Sequence, residues 1–182
     1  MTTQGKEIFV PSEEFMTSFT EQAITWVRQQ RNQLRPNSKG LTQKEKRVFS
    51  RFFDQDLLDS ARFAHVPVIK NPDFYKGFNS IPLLDLEQVV AFTFIDTVAE
   101  IRNSAIGTKF HELVHVEQFR QLGVERTVAL YLKQWVNGDY DYWNIELEED
   151  ASGLVAWYHS NPQESFSVSE EVAKRLETYK LL

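Results

Sequence analysis

The feature that most constrains the fold of this 182-residue chain is the pattern His-Glu-x-x-His at residues 111–115. On a helix, which turns by about 100° per residue, His111 and His115 lie one turn apart, so both imidazoles can reach one ion. Two neutral imidazoles are good zinc ligands and leave room for a third protein ligand and a water. Glu112 projects beside the pair, where it can take a proton from that water. The pattern predicts a metal-binding helix, and its apolar neighbours predict that the helix is buried.

Composition narrows the kinds of site that this chain can build. The sequence contains no cysteine, which excludes disulfides and thiolate metal ligands, so any metal must be bound by His, Asp or Glu. The net charge is −6 and no run of Lys and Arg stands out, which argues against binding to nucleic acid. A hydrophobic fraction of 42% with 14 Phe supports one globular domain over residues 1–182.

Neither a targeting segment nor a membrane span is expected. Residues 1–7 lack the basic and then apolar pattern of a secretory signal, and no apolar run approaches about 18 residues. We therefore predict a cytoplasmic protein with no membrane partner.

The N-terminal third of the chain, residues 1–60, is predicted to be helical. Ser12 is an expected N-cap, and apolar residues then recur at helical spacing as far as Leu34. Thr42 and Glu45 form a capping box that opens a second helix. At the other end of the chain, residues 161–182 contain a further capping box at Ser167 and are expected to form a C-terminal helix.

The region between them, residues 61–160, has a mixed pattern. Residues 61–69, 89–95 and 97–101 are rich in β-formers and predict short strands, of which 89–95 is either a sheet edge that binds extended peptide or a covered core strand. Residues 105–122 predict the His-Glu-x-x-His helix, ended by Gly123, and residues 125–136 and 145–160 predict two more helices. The expected fold class is α+β, mostly helical, with a small sheet packed against the metal-binding helix.

The third metal ligand must come from elsewhere in the chain. The extended motif His-Glu-x-x-His-x-x-Gly-x-x-His is excluded because Gln118 and Gln121 occupy its Gly and final His positions. The nearest supply of ligands is an acidic cluster at the start of a later helix, Glu146, Glu148, Glu149 and Asp150. Acidic residues are common near helix N-termini, but here they follow a His-Glu-x-x-His helix.

These residues, with Gly123 and a tyrosine-containing connector at residues 140–144, resemble the gluzincin type of zinc metallopeptidase. The resemblance extends over about residues 89–158 and is strongest to small, single-domain, uncharacterised bacterial members. In that group the third ligand is a glutamate in a Glu-x-x-Ala/Ser pattern, which implies Glu148, with Ala151 three residues on. The alternative register uses Glu146 as the ligand and Asp150 as its orienting acid. Ser152 stands where larger gluzincins place an orienting Asp.

The resemblance implies a zinc-dependent hydrolase of peptide bonds, with a peptide or protein as substrate. Zn²⁺ is the expected cofactor and Glu112 the expected general base. The donor to the developing oxyanion is expected among Tyr140, Tyr142, Tyr158 and His159, with Tyr142 preferred. Two alternatives stay open: a metal-binding module without catalysis, and a helical interaction protein without metal. The sequence predicts neither the substrate's identity nor the oligomeric state.

Overall fold

The computed structural model describes residues 10–78, 81–102, 104–161 and 163–179. Residues 1–7, whose sequence lacks a targeting pattern, lie outside this set. The described helices and strands are α1 Glu13–Leu34, α2 Gln43–Phe49, α3 Gln55–Ser60, β1 Arg62–His65, β2 Ala91–Phe94, β3 Thr97–Glu100, α4 Ile106–Asn137, α5 Glu146–Ser160 and α6 Val168–Thr178. The fold is therefore α+β and mostly helical, as predicted. Among the described residues, no helix combines the length and apolarity needed to cross a bilayer.

Local hydrogen bonds fix the starts of three helices where the sequence predicts them. The Ser12 hydroxyl accepts from the backbone N–H of Phe15 at the start of α1. Thr42 and Glu45 form a reciprocal capping box at α2. The Ser167 hydroxyl caps α6 by accepting from the N–H of residue 170. Each cap satisfies N–H groups that have no partner within the helix, so these boundaries are set by nearby residues.

The sheet has three strands in the order β1-β3-β2. Strand β1 pairs parallel with β3, and β2 pairs antiparallel with β3, so that β2 lies at the edge. The predicted strand at 61–69 is shorter in the structure, since β1 ends at His65. The N–H of Val66 still donates to Glu100, but Pro67 has no N–H with which to continue the pairing.

Helix α1 is attached to the turn between β2 and β3 by an ionic cluster. Arg31 donates two hydrogen bonds to the Asp96 carboxylate, at 2.8 and 2.9 Å, and Arg35 lies 3.0 Å from the same group. Burial opposes ionisation of Asp96, but the two arginines and a hydrogen bond from Thr97 outweigh it and lower the pKa of the carboxyl. This cluster holds α1 beside β2.

Helix α4 is broken at Gly123, where φ is 76° and ψ is 168°. The sequence predicts separate helices at 105–122 and 125–136, and the break falls at the predicted residue. There is no intervening loop, so the two predicted helices are halves of one element. Only glycine adopts this backbone conformation readily, and the Thr127 hydroxyl donates to the Gly123 carbonyl at 2.8 Å.

The main hydrophobic core lies on one side of the first half of α4. Phe110 is fully buried in it, with its ring centroid 4.9 Å from that of Phe53 and 5.5 Å from that of Phe52. The Tyr158 ring from α5 stacks on Phe110 at 4.8 Å. Helices α2, α3, α5 and α6 all contribute to this core. Aromatic packing therefore holds one face of the His-Glu-x-x-His segment, and the opposite face points toward β2 and α5.

Candidate metal centre

The structure brings His111, His115 and Glu148 together. The Nε2 atoms of the two imidazoles are 3.0 Å apart, and Glu148 Oε2 lies 3.0 Å from His111 Nε2 and 3.1 Å from His115 Nε2. The three atoms form a nearly equilateral triangle. Tetrahedral ligands at about 2.1 Å from a zinc ion are separated by about 3.4 Å, close to these distances. The donor set and its spacing fit a small divalent cation.

Of the two ligand registers, the structure places only Glu148 at the imidazoles. The Glu146 carboxylate accepts instead from Gln134 Nε2 at 3.0 Å. Asp150 pairs with Arg175 of α6 at 3.0 Å and accepts from the Tyr179 hydroxyl. Glu148 is 5% exposed and Ala151 is fully buried. The small residue three positions after Glu148 thus lies in the packed contact between α5 and the rest of the core.

Gln118 orients His115. Its side-chain N–H donates to the carbonyl of Leu147 at 3.0 Å, which fixes the amide so that Oε1 faces His115 Nδ1 at 2.7 Å. Nδ1 must then be the donor of that hydrogen bond, and in the neutral ring Nε2 carries the lone pair that a metal needs. Leu147 immediately precedes Glu148, so one amide links the two helices that carry the candidate ligands. The Gln118 amide thus supplies the outer hydrogen bond that orients the His115 imidazole.

Two tyrosines hold the Glu148 carboxylate. The Tyr131 hydroxyl donates to Oε1 at 3.0 Å and the Tyr142 hydroxyl donates to Oε2 at 2.5 Å. Of the four predicted oxyanion donors, Tyr142 is thus placed at the ligand group. Tyr158 stacks on Phe110, and the Tyr140 ring packs against Trp135 at 6.2 Å.

The fourth predicted donor, His159, is exposed near the C-terminal end of α5, and its Nε2 lies close to Gly107.

Glu112 is buried beside the ligand group, with 5% of its surface exposed. The Thr93 hydroxyl, on edge strand β2, donates to Glu112 Oε2 at 2.7 Å. Burial raises the pKa of Glu112, although the two imidazoles and the Thr93 hydrogen bond oppose the rise. A carboxylate held in one orientation beside the ligand group is placed to accept a proton from a molecule bound there.

The electrostatics of the group favour a positive charge between Glu148 and the imidazoles. Burial alone would lower the pKa of His115, but the Glu148 charge and hydrogen bond outweigh it and raise that pKa to about 9. Burial likewise opposes ionisation of Glu148, yet His115 and His111 hold its pKa well below the usual range. Burial and then the Glu148 charge raise the pKa of Tyr131 and Tyr142, so both remain hydroxyl donors.

A cavity of about 670 Å³ adjoins the group. His111, His115, Glu112 and Glu148 form part of its wall. The rest comes from α1, from both halves of α4, from residues 142 and 143 of the connector, from residues 147, 152 and 155 of α5, and from residues 72, 74, 75, 83, 84, 86 and 88–93. Its size is that of a typical small-ligand pocket. The candidate ligands are therefore reached from a large cavity and are not sealed inside the core.

Three residues at the site were missed by reasoning from the sequence. Reasoning from the sequence gave Gln118 no role at the site, although its position three residues after His115 places it on the same helical face. Thr93 and Tyr131 have no local pattern that points to the site, because each meets its carboxylate through tertiary packing.

Comparison of the chain with protein-family models, with curated proteins and with solved structures finds no match in any of the three.

Proposed function

We propose that this protein is a zinc-dependent metallopeptidase of the gluzincin type. The observation that carries the proposal is the position of Glu148 Oε2 within 3.1 Å of both imidazole Nε2 atoms, with Glu112 buried alongside. His111, His115 and Glu148 would hold the metal. A bound zinc ion would supply a polarised water and a positive charge at the substrate carbonyl.

The chain's own residues carry the proton transfers in this proposal. Glu112 accepts a proton from the attacking water and later passes it to the leaving amine. Thr93 holds the Glu112 carboxylate in place through its 2.7 Å hydrogen bond. Tyr142, whose hydroxyl lies at the ligand carboxylate, is the proposed donor to the carbonyl oxygen as negative charge develops there.

Edge strand β2 is the proposed platform for an extended substrate. The N–H of Ile101 donates to the Val90 carbonyl, so Val90 faces β3. Main-chain groups alternate in direction along an antiparallel strand, so those of Ala91 and Thr93 point toward the unpaired edge. A peptide can add there as a further strand. Because Thr93 also contacts Glu112, such a peptide would pass beside the proposed general base.

Glu112→Gln tests the role of the proposed base, and Glu117→Gln is its matched control. Glu117 is a second buried acid on α4, 1% exposed, and it contacts Gln121 and Arg120 instead of the site. We expect Glu112→Gln to lower peptide hydrolysis by about 10²–10⁴-fold, while the control keeps its rate. Both variants should contain one zinc per chain by elemental analysis of protein purified without added metal.

Three results would count against the proposal in different ways. Unchanged turnover in Glu112→Gln removes that residue from the base role. Protein that binds zinc but cleaves no peptide, and that unfolds on chelation, is a module in which the metal only links α4 to α5. Protein that contains no metal and takes up none is an interaction protein of the kind left open by the sequence.

A further inference from the structure

The cavity beside the candidate metal centre carries almost no charge away from that centre. Among the described residues that line it, the side chains of Asp, Glu, His, Lys and Arg are limited to His111, His115, Glu112 and Glu148. Most of the remaining wall is apolar, and aromatic side chains contribute much of it. A buried apolar surface binds apolar groups and disfavours charged ones, which lose their hydration without gaining a partner.

Large apolar side chains are exposed at the rim of the cavity. In the part of the chain that the structure describes, four large hydrophobic side chains are exposed, and Trp143 and Val90 line this cavity at 74% and 40% exposure. A third, Ile106, is 36% exposed and precedes Gly107, which also lines it. Exposed apolar side chains grouped at one place mark a binding surface more often than scattered ones do.

We propose that the substrate is an internal stretch of polypeptide with bulky apolar side chains next to the cleaved bond, so that the protein is an endopeptidase. This inference rests on the function proposed above and adds the class of substrate. Cavity and rim supply the apolar contacts, and β2 supplies main-chain hydrogen bonds that do not depend on the peptide's sequence.

The lack of further charges in the cavity is what separates internal cleavage from trimming of chain ends. An enzyme that removes C-terminal residues needs a cation for the free carboxylate, and Arg or Lys is the usual partner. One that removes N-terminal residues needs an additional acid for the free ammonium group. Among the described lining residues, neither kind of partner is present beyond the ligand group and Glu112. A free terminus would therefore be desolvated in this cavity without compensation.

Helix α1 determines which side chains fit. Phe19, Ala23, Trp26 and Val27 form its part of the wall, and Ala23 leaves space that a larger residue would fill. This helix lies outside the region that resembles gluzincins. The centroid of the Trp26 ring lies 6.3 Å from that of Phe92 and 5.1 Å from that of Phe94, so this part of the wall packs against β2. The N-terminal helix thus acts as the specificity element of the proposed peptidase.

The first experiment uses the full chain loaded with zinc and a pool of peptides of mixed sequence, analysed by mass spectrometry. One half of the pool is acetylated and amidated at its ends. We expect cuts at internal bonds flanked by Phe, Trp, Leu or Ile, favoured by about tenfold or more over bonds flanked by charged residues, in both halves equally. Stepwise trimming, cleavage abolished by end-blocking, or cuts next to charged residues overturns the inference while the peptidase proposal stands.

The second experiment changes the cavity. Ala23→Leu should lower kcat/KM by about tenfold for peptides with Trp or Phe at the favoured position, with a smaller effect on Val or Ala. Thr25→Leu, on the exposed side of α1, is the matched control and should behave as the unmodified protein does.

Trp143→Ala removes a side chain that is 74% exposed, and it should raise KM with little change in kcat. Equal activity of all three variants on every peptide contradicts the inference. Complete absence of cleavage by unmodified, zinc-bound protein instead contradicts the proposed function, and the substrate class with it.

Discussion

The two faces of the first half of α4 differ in what they bury. One face carries Phe110, which is fully buried among aromatic rings whose centroids lie 4.8–5.5 Å from its own. The other carries His111, Glu112 and His115, which face a carboxylate, a hydroxyl and an open cavity. Neighbouring residues on one helix therefore meet separate demands: the aromatic face contributes packing stability, and the polar face contributes the candidate ligands.

The polar face needs partners that the aromatic face does not. A buried carboxylate is costly unless charged or hydrogen-bonding groups surround it. Glu148 has two imidazoles and two tyrosine hydroxyls, and Glu112 has Thr93. Among the described residues, no buried side-chain polar atom lacks a hydrogen-bond partner. Each partner fixes the orientation of the side chain that it contacts. Hydrogen bonds therefore determine the arrangement of the polar face, and close packing of side-chain volume determines that of the aromatic face.

The largest effect on stability is expected from the aromatic face. Phe110→Ala should lower the free energy of unfolding by about 3–5 kcal/mol, because it leaves a cavity among close-packed rings. Urea denaturation measures the loss. Phe110→Leu, which keeps more of the volume, should cost less. Zinc affinity of the folded fraction should be unchanged in both variants, and a weaker affinity would show that the two faces are not independent.

Metal addition tests the polar face. At about 100 times its dissociation constant, zinc should stabilise the unmodified protein by about 2.7 kcal/mol, since it binds the folded chain. Phe110→Leu should gain the same increment. Glu148→Gln keeps the shape of the ligand but not its charge, and should gain far less. Thermal denaturation with and without zinc measures this, and an equal gain in all three would place the metal elsewhere.

The break at Gly123 lets the two halves of α4 present different faces. Gly123→Ala should cost about 1–3 kcal/mol, because a Cβ is strained at φ 76° and ψ 168° even though no atom lies within 4 Å of it. Gly153 is the matched control, in the regular helix α5 and equally free of neighbours. Gly153→Ala should stabilise by about 0.5–1 kcal/mol. A change of the same sign at both positions would contradict the strain argument.

The Gln118 amide, which orients His115, is expected to affect the affinity for zinc. Gln118→Leu removes the acceptor for His115 Nδ1 and should weaken zinc binding by about 10–100-fold. Gln121→Leu, one turn further along the helix, removes contacts to Glu117 and Ser169 instead and should leave the affinity unchanged. Competition with a chelator of known affinity measures both. Equal losses would mean that packing between helices, and not the amide, positions the imidazole.

Much of the fold could be predicted because its determinants are local. The caps at Ser12, Thr42 and Ser167 act within three residues, and Gly123 breaks its helix through its own backbone. The α+β class followed from the change in residue pattern after residue 60. Helix α3 and the parallel pairing of β1 with β3 were not predicted, since the first is short and the second depends on a distant strand.

The candidate site also has one part that follows from the sequence and another that depends on tertiary packing. The sequence alone determined that His111 and His115 share one helical face with Glu112 between them, because that geometry depends only on the helical repeat. Tertiary structure decided that Glu148 and not Glu146 meets the imidazoles, and that Thr93 and Tyr131 hold the two carboxylates. Residues 146 and 148 are two positions apart on α5, so their side chains point about 160° apart around the helix, and only the packing of α5 on α4 selects which one faces the site.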